Sequence, residues 1–396
     1  MQQFQHLASW HSNWRETRFA VIGLGSSGFS AADTLAELGS EVKVFAESAD
    51  QKLLDILEVI GVQHEIGPGA TSPELVLNFE PQIAIISPGV SPSNPLVLAL
   101  EARQVTLWTD IDLAWRLRDK TPLIAQWFVI TGTNGKTTTS QLLETMLNTD
   151  GRRTIACGNI GFPILDAVRD PLGFDALVVE LSSFQLHYLG QIQPYASAFL
   201  NIAEDHLDWH GGFEQYLAAK SKIFQNTEVA CVYNAADPAT EHALEQAEVV
   251  EGARAIGFTL GIPALSQVGF VEDILCDRAF LEDRRNNALE IANLQDIEGI
   301  GLITPHLLEN IAAATALARS ANVEPAIIRD ALRLFRTDAH RIELVEDRDE
   351  VRWVDDSKAT NAHAAAASIA AFENVVWILG GLLKGVELRP LVAKFK

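Results

Sequence analysis

Short apolar runs alternate with amphipathic stretches along most of this chain. Phe19 to Gly23 predicts a strand, Ser27 to Leu38 a helix and Val42 to Phe45 a second strand, a β-α-β order. Ile83 to Ile86 predicts another strand. It runs into Ser87-Pro88-Gly89, so that loop falls at the carboxyl edge of a sheet, where open α/β folds bind ligands. The rhythm restarts after Lys120-Thr121-Pro122. There the pattern predicts the strands Leu123 to Thr131, Ala176 to Glu180 and Ala196 to Asn201, with helices after Lys136 and over Phe213 to Phe224 and Pro305 to Ser320. A third start follows Thr337-Asp338, with strands at Ile342 to Val345, Val351 to Val354 and Val375 to Leu379 and an alanine-rich helix from Ala362 to Phe372. The expected units are therefore 1–121, 122–337 and 338–396, the last of them short for an α/β domain.

Composition narrows the function classes. The chain has 396 residues, 48% hydrophobic and 21% charged, which suits several folded cores and not a disordered segment. A formal charge of -22 argues against wrapping nucleic acid, so any phosphate ligand has to be held locally. Cys157, Cys231 and Cys276 are odd in number and far apart, which suits a reducing compartment. Neither a signal peptide nor a membrane-spanning apolar stretch is evident, and a cytoplasmic location without membrane partner is expected.

Thr131-Gly132-Thr133-Asn134-Gly135-Lys136-Thr137-Thr138, between a strand and a helix, reads as a phosphate loop. Its glycines let backbone N–H groups face phosphate oxygens, Lys136 reaches the outer phosphates and Thr137 offers a hydroxyl to magnesium. Ile130 stands where a strict Walker motif has its first glycine. Gly23-Leu24-Gly25-Ser26-Ser27-Gly28 matches the dinucleotide fingerprint, with Glu47 near the end of the next strand as a candidate ribose ligand. By itself this suggests NAD, and the pyrophosphate of another nucleotide fits equally well. Glu180 and His206 end two strands and could share one metal-phosphate centre. Lys220 and Lys222, on a helix, read from spacing alone as solvated lysines, and His340-Arg341 with Asp355 to Asn361 as turns and caps.

Taken in order, the phosphate loop, Glu180-Leu181-Ser182-Ser183-Phe184-Gln185-Leu186, Asp205-His206-Leu207-Asp208-Trp209-His210-Gly211, Ala219-Lys220 and Asp356-Ser357-Lys358-Ala359-Thr360-Asn361 resemble the Mur ligases over essentially the whole chain. The Ser-Ser-Phe-Gln and Asp-Ser-Lys-Ala-Thr-Asn wordings are most similar to the branch that adds D-glutamate to UDP-N-acetylmuramoyl-L-alanine. The resemblance implies an α/β fold of three domains: a Rossmann-like domain for the UDP-substrate, a central P-loop domain for ATP, and an incomplete Rossmann-like third domain for the amino acid. It implies an ATP-dependent, ADP-forming ligase of peptidoglycan synthesis, working as a monomer through an acyl phosphate with two magnesium ions. Lys136, Glu180, His206 and Lys220 then take catalytic positions, with Thr137, Glu180, His206 and a carbamylated Lys220 as metal ligands. Gly132 to Thr138, Asn310, Arg341 and Asp356 take nucleotide positions. Gly25, Ser26, Ser27, Ser87, Pro88, Gly89, Asn159, Ser182, Ser183 and Gln185 take substrate positions, and Lys358, Thr360 and Lys384 the glutamate side. Ala46 stands where the family carries an acid, with Glu47 beside it. The rivals are a nicotinamide oxidoreductase, a non-catalytic nucleotide binder and a sister ligase such as folylpolyglutamate synthetase.

Overall fold

The computed structural model describes residues 4–381 and 389–395. Its first sheet has five parallel strands, β1 Arg18–Ile22, β2 Glu41–Ala46, β3 Gln63–Ile66, β4 Ile83–Ile86 and β5 Thr106–Trp108, in the order β3-β2-β1-β4-β5. β1 and β4 are apolar throughout their buried length, as expected of parallel strands covered on both faces. The chain crosses from β3 back over β1 to β4, so the loops after β1 and β4 meet at the point where the strand order reverses. The Ser87 N–H donates to the Ile22 carbonyl at 3.0 Å and holds the two loops together. Gly28 lets the helix Ser26–Glu37 close onto this turn, because a Cβ there would collide with the Gly23 carbonyl oxygen.

The second sheet has nine strands: β6 Gln126–Thr131, β7 Thr154–Gly158, β8 Ala176–Glu180, β9 Ala196–Phe199, β10 Ala230–Asn234, β11 Arg254–Phe258, β12 Gln267–Val271, β13 Ile274–Asp277 and β14 Leu289–Asn293. Their order is β14-β13-β12-β11-β10-β9-β6-β8-β7, parallel from β7 to β12 and antiparallel at the β13 and β14 edge. β6 lies between β8 and β9, so the segments leaving these three strands emerge side by side. The helix Lys136–Thr149 packs against Pro305–Ser320, whose run of small buried alanines allows close approach.

One apolar core joins the first two sheets, since Leu113 and Leu117 cluster with Ile164, Leu165 and Leu186. Around it Arg169 pairs with Asp33 at 2.6 Å and Glu37 at 2.9 Å, and Ser30 donates to Asp166 at 2.5 Å. The third unit begins with an antiparallel hairpin, β15 Glu343–Arg348 and β16 Val351–Asp355, followed by the helix Ala362–Ala370. The expected strand from Val375 to Leu379 is not formed. The run finds no pairing strand among the described residues, and Val376 and Ile378 are 92% and 80% exposed. The helix expected over Phe213 to Phe224 breaks into Phe213–Ser221 and a 3₁₀ turn, Lys222–Phe224. Among the described residues no single helix is long and apolar enough to cross a membrane.

Candidate active site

The phosphate loop leaves β6 and is wired to the segment after β9. Thr133 N–H donates to the Asn201 carbonyl at 3.0 Å, Asn134 N–H donates to Asn201 Oδ1 at 2.9 Å, and the Thr133 hydroxyl lies 2.9 Å from that of Tyr216. Gly135 is left-handed, and the Asn310 side-chain oxygen occupies the place a side chain would need, so glycine answers both backbone and space. Gly132 and Thr138 are buried with the loop. Lys136 turns inward. Its ammonium donates to the carbonyls of Gly132 at 2.9 Å and Thr133 at 3.1 Å.

Lys220, expected at the surface on spacing alone, is only 2% exposed and donates to that same Gly132 carbonyl at 2.7 Å. Burial, and then the charge of Lys136, push its pKa far below the usual lysine range, against the pull of Asp205 and Glu180. Burial lowers Lys136 as well. The Nε of Arg341 is buried close by without a partner. Two inward-turned ammonium groups on one carbonyl, with the unpartnered Nε of Arg341 close by, gather positive charge of the kind that suits a polyphosphate.

Glu180, at the end of β8, is buried and connects two regions. One carboxylate oxygen accepts the Thr137 hydroxyl at 2.8 Å, and the other accepts the Asn159 side-chain amide at 2.8 Å. Thr137 with Glu180 is the oxygen pair a magnesium ion would take beside phosphates. His206 heads the next segment in a left-handed conformation, 3.6 Å from Asp205, its ring edge-on to Phe184.

A cavity of about 200 Å³ opens on the far side of Asn159, lined by Ser26, Ser27 and Pro88 of the first unit and by Asn159, Gly161 and Gln185 of the second. Gly25 precedes a helix whose first turn has no side-chain cap, so its amides are available to an anion. Ser182 and Gln185 form a reciprocal capping box, and Ser183 lies 3.0 Å from His210 Nε2. The loop from Ser87 is held from across the junction: Trp209 donates to the Gly89 carbonyl at 3.3 Å and Tyr188 to the Val90 carbonyl at 2.8 Å. Glu47 faces elsewhere. Its carboxylate accepts the Gly69 and Thr71 N–H groups and the Thr71 hydroxyl, which depress its pKa.

In the third unit Asp356 accepts the Ile342 N–H and the Ser368 hydroxyl, while Lys358 and Thr360 are exposed. Lys384 lies outside the described residues. Sequence reasoning quoted Asn361 and Asp205 within motifs but gave neither a role of its own. Asn361 caps its helix through Oδ1 and donates through Nδ2 to Asn134 Oδ1 at 3.0 Å and Asp205 Oδ2 at 3.4 Å, and His363 Nδ1 lies 3.1 Å from Asn134 Nδ2. The capping position of Asn361 was legible, but its reach to the phosphate loop needs the third dimension.

A glycine-rich loop with inward-turned lysines on one sheet, joined by the Glu180 carboxylate to a pocket against a second parallel sheet, is an arrangement suited to an α/β enzyme that acts on a bound ligand with a nucleotide. Residues 130–318 match the family described as the Mur ligase middle domain. The UDP-N-acetylmuramoylalanine--D-glutamate ligase of Leifsonia xyli subsp. xyli is 53% identical over 98% of this chain and 77% of its own length. The enzyme of the same name from Tropheryma whipplei (strain Twist) is 45% identical over 100% and 82%. Among solved structures, the UDP-N-acetylmuramate:L-alanyl-gamma-D-glutamyl-meso-diaminopimelate ligase from Neisseria meningitides aligns with a TM-score of 0.53 at 18% identity, covering 81% of this chain and 99% of its own. MurF from Acinetobacter baumannii aligns at 0.51 and 17%, covering 90% and 71%. The chain belongs to the Mur ligase family.

Proposed function

We propose that this chain is the ATP-dependent, ADP-forming ligase that joins D-glutamate to UDP-N-acetylmuramoyl-L-alanine in the synthesis of peptidoglycan precursors, acting in the cytoplasm as a monomer. The carrying observation is the Glu180 bridge, with Thr137 of the phosphate loop on one oxygen and Asn159 of the pocket on the other. It supports a reading in which a triphosphate and a second ligand meet about one carboxylate for direct phosphoryl transfer. High identity to ligases of that name supports the choice of substrates.

In this reading the UDP group rests on the amides after Gly25 with Ser26, Ser27 and the Ser87-Pro88-Gly89 loop, and Asn159, Ser182, Ser183 and Gln185 orient the muramoyl end. The alanyl carboxylate attacks the γ-phosphorus, the bond to the ADP oxygen breaks, and an acyl phosphate forms. The amine of D-glutamate then adds to the acyl carbon, phosphate departs with the bonding pair, and the amine loses a proton. Lys136 moves from its backbone carbonyls to the transferring phosphate and offsets the charge that develops there. Asn310, Arg341 and Asp356 flank the nucleotide, and Lys358, Thr360 and Lys384 serve the glutamate. Magnesium, when bound, neutralises phosphate charge, and Thr137, Glu180 and His206 are the residues that would hold it. A neutral Lys220 amine can add carbon dioxide with loss of a proton, giving a carbamate for a second ion, and the depressed pKa of this buried lysine favours that state.

The nicotinamide alternative loses its ribose ligand, because the exposed Glu47 carboxylate is committed to Gly69 and Thr71. The test is phosphate release from ATP with UDP-N-acetylmuramoyl-L-alanine. Steady release is expected only with D-glutamate, and replacing it with L-alanine or diaminopimelate should leave the rate at background. Release that ignores D-glutamate overturns the assignment.

A further inference from the structure

Asp110 opens the helix Asp110–Leu117 and is 3% exposed, and its carboxylate is met only loosely, by the Ile111 N–H and two side chains, none in a hydrogen bond of ordinary geometry. Two pocket residues from different units stand against it, Ser27 of the first and Gln185 of the second, close enough to stabilise its charge. The orientation of Gln185 is settled, because its Oε1 accepts the Ser182 N–H at 3.0 Å and the Ser182 hydroxyl at 3.1 Å. Its amide NH₂ is therefore the end left to face Asp110. Ser27 has a hydroxyl that can turn either way, and its direction depends on what Asp110 offers. Toward a carboxylate, Ser27 donates inward and shows the cavity only lone pairs. Toward a protonated Asp110, Ser27 accepts, and its own O–H points into the cavity.

We propose that Asp110 is a positioning residue whose protonation is favoured when the UDP-substrate binds, turning the Ser27 hydroxyl outward as a donor to an anionic phosphate. This rests on reading the pocket as the seat of a uridine diphosphate group. Burial raises the Asp110 carboxyl to about 6, so the proton can be gained near neutral pH, and an arriving anion favours the gain further. The titratable neighbours are few. Asp112, on the same helix, is also raised by burial, but it accepts the Thr109 N–H at 2.8 Å, the Thr109 hydroxyl at 2.7 Å and the Gly190 N–H at 2.8 Å. Cys157, on β7, is held as a thiol by burial. Ser27 and Gln185 carry no charge.

The experiment is calorimetric binding of UDP-N-acetylmuramoyl-L-alanine between pH 5.5 and 8.5, whose diphosphate diester does not titrate in that range. Affinity of the unsubstituted protein should fall about tenfold from pH 6 to pH 8, the worth of one hydrogen bond to a charged group. Asp110→Asn donates permanently, so it should bind at every pH as tightly as the unsubstituted protein does at pH 6. A slope that persists in Asp110→Asn, or no slope in the unsubstituted protein, overturns the proposal. If the variant does not fold, the same proton is read from the unsubstituted protein in two buffers of different ionisation heat near pH 7. Uptake of a fraction of a proton per ligand is expected there, and no uptake overturns it. Absence of binding at any pH sinks the functional reading itself, which distinguishes the two failures.

Discussion

Lys136 and Lys220 meet on the carbonyl of Gly132, so loss of either cation changes the charge at one point of the site. Lys136→Ala should weaken magnesium-linked ATP binding by roughly a hundredfold, the loss of a charged hydrogen bond worth about 2–3 kcal/mol, as read by titration calorimetry. Lys220→Ala should lower the ligation rate by about ten- to a hundredfold, the range found when metal-site support is removed. Added formate or acetate should restore part of that rate if a carbamate acts there, and full activity without rescue would remove Lys220 from the site. Asp110 belongs at this scale too. Its folded pKa, about 6, lies above the unfolded value near 3.8, so its contribution to stability is complete below the unfolded value and is lost as pH rises through 6. An ionised Asp110 thus costs roughly 3 kcal/mol, and Asp110→Asn should melt several degrees higher at pH 8.

The elements act through their ends. The phosphate loop leaves β6 at its end, β8 finishes on Glu180 itself, and the segment after β9 carries Asn201 and His206, while the parallel register sets Ile130 opposite Glu180. The helix Ala362–Ala370 does the same from the third unit, where Asn361 caps it and reaches the phosphate loop with the same side chain. Asn361→Asp separates these roles, because aspartate caps as well as asparagine but cannot donate to Asn134 and places a second carboxylate near Asp205. Thermal stability should stay within about 0.5 kcal/mol of the parent, while the KM for ATP rises and kcat falls. Unchanged kinetics would show that the contact does not matter to the cycle.

At the scale of the whole molecule, the first two units share one core and a cage of ion pairs, whereas the third meets the second through polar contacts such as Gln141 to Asp338 at 2.7 Å. A polar junction can part and re-form more readily than an apolar one. The junction of the first two units should behave as one body. Arg169→Ala, which removes the pairs to Asp33 and Glu37, should lower stability by about 1 kcal/mol and leave the KM for ATP unchanged. Separate unfolding of the first unit in that variant would contradict the shared core.

Most strand-helix alternation was legible because parallel strands buried on both faces must be apolar runs, and β4, β8 and the helix Pro305–Ser320 fall where the pattern predicted. The phosphate loop was legible for a local reason, since glycine placement and the following lysine act within one turn. The Val375 to Leu379 run misled because a strand exists only with a partner, and pairing is not written in a single segment. Lys220 misled because helical spacing does not tell a solvated face from one pressed against another loop. The sequence by itself determined the classes of element and the glycine turn between β6 and its helix, both decided by short-range sterics and burial. Only the tertiary structure decided that Glu180 bonds both Thr137 and Asn159, that Lys220 is buried against Gly132 and that Asp110 stands between Ser27 and Gln185, because each depends on where distant segments are brought by packing.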